Sequence, residues 1–166
     1  AVRAAVDRHG RTFATGSQQG GGALWRSDGT GPTAVGRHRG AVHALVFDAG
    51  GAWLASASAD GTVGLWETAP GRGRRLAGHA GKVWAVAFGP RGDWLASAGD
   101  GGEVRLWSTA MGRPIATLAG LTASLRVLSV SPVGALVAAA GEDGAAAVWD
   151  VASGGLRTRL AGHRAR

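Results

Sequence analysis

An all-β chain is predicted here, built from four copies of one four-stranded antiparallel meander, and three observations predict it. Trp25, Trp66, Trp107 and Trp149 recur at intervals of 41, 41 and 42 residues. Three of them close the similar frames DGTVGLW, GGEVRLW and DGAAAVW, and the first closes the looser GGGALW. A second slot, 28 residues before a ladder tryptophan, holds His38 and His79, and Leu121 where the histidine is lost. Gly162-His163 repeats that slot near the end. Finally, short apolar runs alternate with glycine-rich turns, and no stretch keeps a helical period over three turns. A fixed period of this size marks one supersecondary unit used repeatedly.

The elements follow in order. Counting back from Trp25 puts Val2 to Val6 on a first strand and Arg11 to Ser17 on a second. In the next unit Val42, Leu45 and Phe47 mark an apolar strand closed by the turn Asp48-Ala49-Gly50-Gly51. Trp53 to Ser58 follows, closed by Asp60-Gly61, a strong hairpin signal. Thr62 to Trp66 makes a third strand, and Arg75 to Ala77 a short outer one. The third unit reads Lys82 to Phe88, Asp93 to Gly99, Glu103 to Trp107 and Pro114 to Ala119. The last reads Leu125 to Val130, Ala135 to Gly141, Ala145 to Trp149 and Arg157 to Ala161. The units are bounded near 1–36, 37–77, 78–119 and 120–162, within one domain spanning 1–166.

These residues resemble the WD40 repeat family of β-propellers, over essentially the whole chain. Only Trp149-Asp150 is a literal WD; Arg26, Glu67 and Ser108 follow the other ladder tryptophans. The resemblance implies a hydrogen-bonded chain inside each blade, running from loop histidine through a strand hydroxyl and a turn aspartate to the ladder tryptophan. The best set is His38, Ser56 or Ser58, Asp60 and Trp66. The next is His79, Ser97 and Trp107, with Asp100 one place from the turn slot that Gly101 occupies. The last keeps Asp143 and Trp149 but has Leu121 and Ala139 in place of His and Ser. Such a network is a stability device, because a buried indole N–H needs an acceptor and a carboxylate fixes an imidazole.

A His, Ser and Asp together invite a hydrolase reading, but a trio recurring once per repeat is not a single site with an exposed nucleophile and an oxyanion hole. The five histidines give no close ligand pair for a metal. Gly20-Gly21-Gly22 and Gly99-Asp100-Gly101-Gly102 lack the Lys-Ser/Thr and the helix of a phosphate loop. No catalytic, metal or cofactor site is expected.

Function is expected on a binding face. Positions five after the histidine slot, taken as Arg3, His43, Trp84 and Arg126, begin the axis-lining strands, with Lys82 nearby. The resemblance implies that this rim contacts partner proteins, and Trp and Arg are frequent interface anchors. The alternative is that Trp84 packs on a neighbouring blade while the arginines are solvated. Trp53 and Trp94 share another slot and are expected between blades.

Composition bounds the rest. The 166 residues include 30 Gly, no Cys and no Tyr, and the net charge of +7 rests on arginine, with Lys82 the one lysine. Without Cys, disulfide and thiolate readings fall away. No apolar run approaches the roughly 20 residues of a membrane helix, no signal peptide opens the chain, and a cytoplasmic setting is expected. The arginines are scattered apart from Arg72, Arg74 and Arg75, and GC-rich coding explains their number. An Arg-rich propeller binding nucleic acid or phospholipid is the alternative. A small-ligand or catalytic propeller ranks below both. As the resemblance implies, bacterial arrays of this kind often stand behind kinase or NTPase modules, and a start at Ala1 suggests a segment of something longer.

Closure is the open question. The resemblance implies rings of about four to eight blades, usually seven. Four blades of this shape are expected to form an open arc with two apolar end faces. A missing contact of ~500 Å² of apolar surface forgoes on the order of 12 kcal/mol at ~25 cal/mol/Å². His163 to Arg166 occupy the slots of His38 to Ala41, so His163 is phased to serve another first blade with Trp25 and Thr15 or Ser17, Gln19 replacing the turn aspartate. Two chains meeting head to tail as an eight-bladed ring is one expectation; further blades in cis is the other.

Overall fold

In a computed structural model, residues 3–69 and 72–161 are described, and all regular structure among them is strand. Four antiparallel sheets of four strands follow one another along the chain. The first holds β1 (Arg3–Val6), β2 (Thr12–Gly16), β3 (Gly21–Arg26) and β4 (Thr33–Arg37). The second holds β5 (Val42–Phe47), β6 (Trp53–Ser58), β7 (Thr62–Glu67) and β8 (Gly73–Ala77). The third holds β9 (Val83–Phe88), β10 (Trp94–Gly99), β11 (Val104–Ser108) and β12 (Pro114–Leu118). The fourth holds β13 (Leu125–Val130), β14 (Leu136–Gly141), β15 (Ala145–Asp150) and β16 (Leu156–Ala161). Each is a simple meander, and the ladder tryptophans all lie on third strands.

Two glycine slots per repeat close the inner hairpins. Gly10, Gly51, Gly92 and Gly134 turn first strands into second, and Gly20, Gly61, Gly102 and Gly144 turn second into third, all with positive φ. The Asp60-Gly61 signal is realised as a three-residue loop, Ala59 to Gly61, with only Gly61 left-handed at φ +80° and its N–H donating to Ser58 O at 3.2 Å. A three-residue loop ending in a left-handed glycine replaces the two-residue turn because only one of its residues lacks a Cβ.

The sheets pack face to face in sequence order, with β1 beside β5, β5 beside β9 and β9 beside β13, and they do not close into a ring. Each joint follows the same rule. A row of large residues on one sheet seats on an Ala/Val/Leu face of the sheet before it. Phe47, Leu54 and Trp66 form one such row and pack with Ala14 and Leu24. Leu95 and Trp107, with Phe88, pack on Ala55, Ala57, Val63 and Leu65. Val137 and Trp149, with Val130, pack on Ala96, Ala98, Val104 and Leu106. Trp53 and Trp94 are partly buried against the second and third of these clusters. The second and third joints continue to the outer strands through Leu76 and Leu118, both buried.

Candidate functional site: a hydrogen-bonded spine and the axial rim

The spine of the second sheet has a direction. Asp60 is held ionised: burial pushes its pKa up, but hydrogen bonds from the Thr62 hydroxyl, Arg39 N–H and Thr62 N–H, with His38 nearby, bring it down to about 2. The Thr62 hydroxyl donates to Asp60 Oδ1 at 2.6 Å and accepts from His38 Nδ1 at 2.9 Å. His38 Nε2 then accepts from Ser56 Oγ at 2.7 Å, and Ser56 accepts from Trp66 Nε1 at 2.8 Å. The acceptor at one end and the obligate donor at the other fix every proton between them. His38 stays neutral, since burial lowers its pKa against the pull of Asp60, 3.4 Å from Nδ1.

Other sheets carry shorter versions. In the third, Trp107 Nε1 donates to Ser97 at 2.8 Å and Ser97 lies 2.7 Å from His79 Nε2, but buried His79 Nδ1 has no partner. In the first, Trp25 Nε1 donates to Thr15 at 2.9 Å. In the fourth, Trp149 Nε1 finds Ala119 O at 2.7 Å, a backbone acceptor replacing the missing serine. Ser58 serves the turn, donating to Gly40 O and accepting from Asp60 N–H. Asp143 accepts from Ala145 N–H in the corresponding turn. His163 lies outside the described residues. The Ser56, Ser58 and Ser97 hydroxyls are buried and engaged, so none is an accessible nucleophile.

Asp100 departs from its expected place. It does not reach His79; its carboxylate accepts from Trp84 Nε1 at 2.6 Å, Ser124 Oγ at 2.7 Å and Lys82 N–H at 3.2 Å. One residue of displacement in the turn aims it at the axis instead. Thr62 and the turn aspartates Asp7 and Asp48, whose carboxylates each accept two backbone N–H groups, escaped the sequence reading. The identical spacing of Asp7 and Asp48 within their repeats was the signal for the pair.

The rim is built by bulges. Register skips His43 between Val42 and Ala44, Trp84 between Val83 and Ala85, and Arg126 between Leu125 and Val127. A bulge frees one residue from the ladder and re-aims its side chain. The three released side chains meet: His43 stacks on Trp84 with centroids 3.8 Å apart and planes at 4°, and Arg126 Cζ lies 3.5 Å from the Trp84 ring centroid. Lys82 Nζ is 5.8 Å from the same centroid. His43 Nδ1 donates to Val83 O at 3.0 Å, which leaves Nε2 with its lone pair. Burial lowers the His43 pKa, and the nearby cations Arg3, Lys82 and Arg126 lower it further. Arg126 Nε also donates to Glu142 at 2.7 Å. Trp84 thus packs between neighbouring blades as well as standing at the rim. Arg3 does not share the slot. It pairs with Gly16 as Ala44 pairs with Ala57, one place beyond the position of His43.

Among the described residues, no three His, Cys, Asp or Glu side chains group as metal ligands, and no helix is long and apolar enough to cross a membrane. No curated protein matches the chain closely enough to count as a relative. A family model described as WD domain, G-beta repeat, matches residues 32–67, 72–108 and 112–150. Repeats of that family generally act as protein-interaction scaffolds and are typically non-enzymatic. With the ladder, the meanders and two-thirds of its length matched, this chain belongs to the WD-domain G-beta repeat family.

Proposed function

We propose that the chain is a non-enzymatic docking module acting in the bacterial cytoplasm, and that it holds partner proteins through the axial rim. The observation that carries this reading is the convergence of His43, Trp84 and Arg126 from three successive inner strands, with Lys82 and Arg3 beside them. A bulge at the same place in three repeats takes these side chains out of the ladder and gathers them at one end of the axis. Preorganised aromatic and guanidinium groups with a cationic fringe suit a protein segment carrying acidic side chains. Partners at the open ends of the arc, a second copy or further blades, belong to the same reading.

The test is a peptide-display selection on the intact chain. Enriched binders should contain Asp or Glu, and Lys82→Glu together with Arg126→Ala should weaken them at least tenfold. Ile115→Ser, exposed on β12 away from the rim, should leave them unchanged. Binders indifferent to the rim pair, or none enriched, would end the proposal. The anion-binding alternative predicts instead that nucleic acid or acidic vesicles bind with a steep salt dependence.

A further inference from the structure

The two ends of the arc carry the two halves of the joint that the interior makes three times. On the first sheet Val6 pairs with Phe13 and Phe13 with Trp25, which makes a row equivalent to Phe47, Leu54 and Trp66. The interior row is buried, at 9%, 1% and 7% exposure, whereas Val6, Phe13 and Trp25 stand 54%, 40% and 40% exposed. On the fourth sheet, Ala138, Ala140, Ala146, Val148 and Leu160 occupy the positions of Ala96, Ala98, Val104, Leu106 and Leu118. The five interior residues are buried, yet Leu160 is 54% exposed. One end therefore has large residues without a seat, and the other has the seat without large residues.

We propose that two copies of this chain join head to tail, each seating its Val6–Phe13–Trp25 row on the Ala138–Leu160 face of the other, and close an eight-bladed ring about a twofold axis. This deepens the reading of the chain as a docking module by naming the partner at its ends. The fit is specific to another such blade. The open rows are uncharged, small alanines face the place where the large row arrives, and the Trp25 indole N–H is already satisfied by Thr15 at 2.9 Å. Burying that tryptophan therefore leaves no donor stranded. Head-to-tail contacts close when the rotation allows it, and eight blades lie within the range that closes. Two joints of ~500 Å² each approach the apolar share of a standard interface of about 1,600 Å².

The test begins with the mass of the intact chain by light scattering on a sizing column. The ring requires about 33 kDa, twice 16.6 kDa. Phe13→Glu and Leu160→Glu alter side chains exposed in the single chain, so each should keep its β-sheet circular dichroism and fall to 16.6 kDa. Ile115→Glu, off both faces, should remain paired. The chain has no cysteine, so Ala4→Cys with Ala140→Cys, placed as Leu45 and Gly16 meet within the first joint, should oxidise to a covalent dimer. A monomeric parent chain, species that grow beyond two copies, or a Phe13→Glu variant that stays paired would each overturn the ring. A monomer that still binds peptides through the rim would remove the ring alone and leave the docking function standing.

Discussion

His79 differs from His38 by one missing neighbour. His38 Nδ1 reaches Thr62 and Asp60, whereas the matching positions after His79 are Glu103, which pairs with Arg105, and Gly101, which offers nothing. His79 Nδ1 is left buried without a partner, and burial, with help from Arg105, brings the histidine pKa down to about 4. Gly101→Asp restores the carboxylate. There is room, since a Cβ at Gly101 meets nothing nearer than Glu103 Cγ at 3.6 Å, and the backbone there is not left-handed. The variant should raise the His79 pKa from about 4, read by NMR titration, and stabilise the chain by about 1 kcal/mol in urea unfolding. An unchanged pKa would show that the aspartate slot does not govern this histidine. The spine was legible in the sequence wherever its members recur at a fixed period, as Ser56, Ser97 and the ladder tryptophans do. Thr62 was not, because its bridging role depends on how the Asp60 turn folds back on His38.

At the scale of the element, strands whose side chains pack were readable almost to the residue. Trp53 to Ser58 was expected and β6 spans Trp53–Ser58. The outer strand was less visible. Arg75 to Ala77 was expected, but β8 begins at Gly73, because Trp66 pairs with Gly73 through backbone groups that carry no apolar signature. The axis-facing bulges were also hidden, and with them the reason that Arg3 falls out of the rim slot: a bulge inserts a residue without altering the hydrophobic pattern around it. The hairpins yield a direct test. Gly61→Ala places a Cβ at φ +80°, where side chains rarely sit, and should cost about 1–2 kcal/mol in chemical unfolding. Gly101→Ala, at ordinary φ in the equivalent turn of the third sheet, should cost less than about 0.5 kcal/mol. Equal losses would mean that the left-handed position is not what selects glycine.

The whole molecule gathers its histidines on one side of a titration. His38, His43 and His79 are all depressed below 6.5 by burial, and the groups that face His79 are Ser97, Trp107, Arg105 and Glu103. The folded chain holds these rings neutral, so the unfolded chain binds more protons as the pH drops through 6.5. Their stabilisation is complete above that value and declines below it, reaching its floor for His79 at about 4. Asp60 acts lower: its contribution is full above 3.8 and is lost on the way to about 2. Unfolding free energy should therefore fall from pH 7 to pH 4.5 before any carboxylate of the spine is protonated. The slope is at most about 1.4 kcal/mol per pH unit for each histidine titrating in the window. His79→Gln keeps a side chain able to meet Ser97 but removes the titration, so its unfolding free energy should vary less steeply over the same interval. Urea midpoints measured at half-unit steps decide it: a flat profile, or one equally steep in His79→Gln, would mean that the acid sensitivity of the arc lies outside the spine.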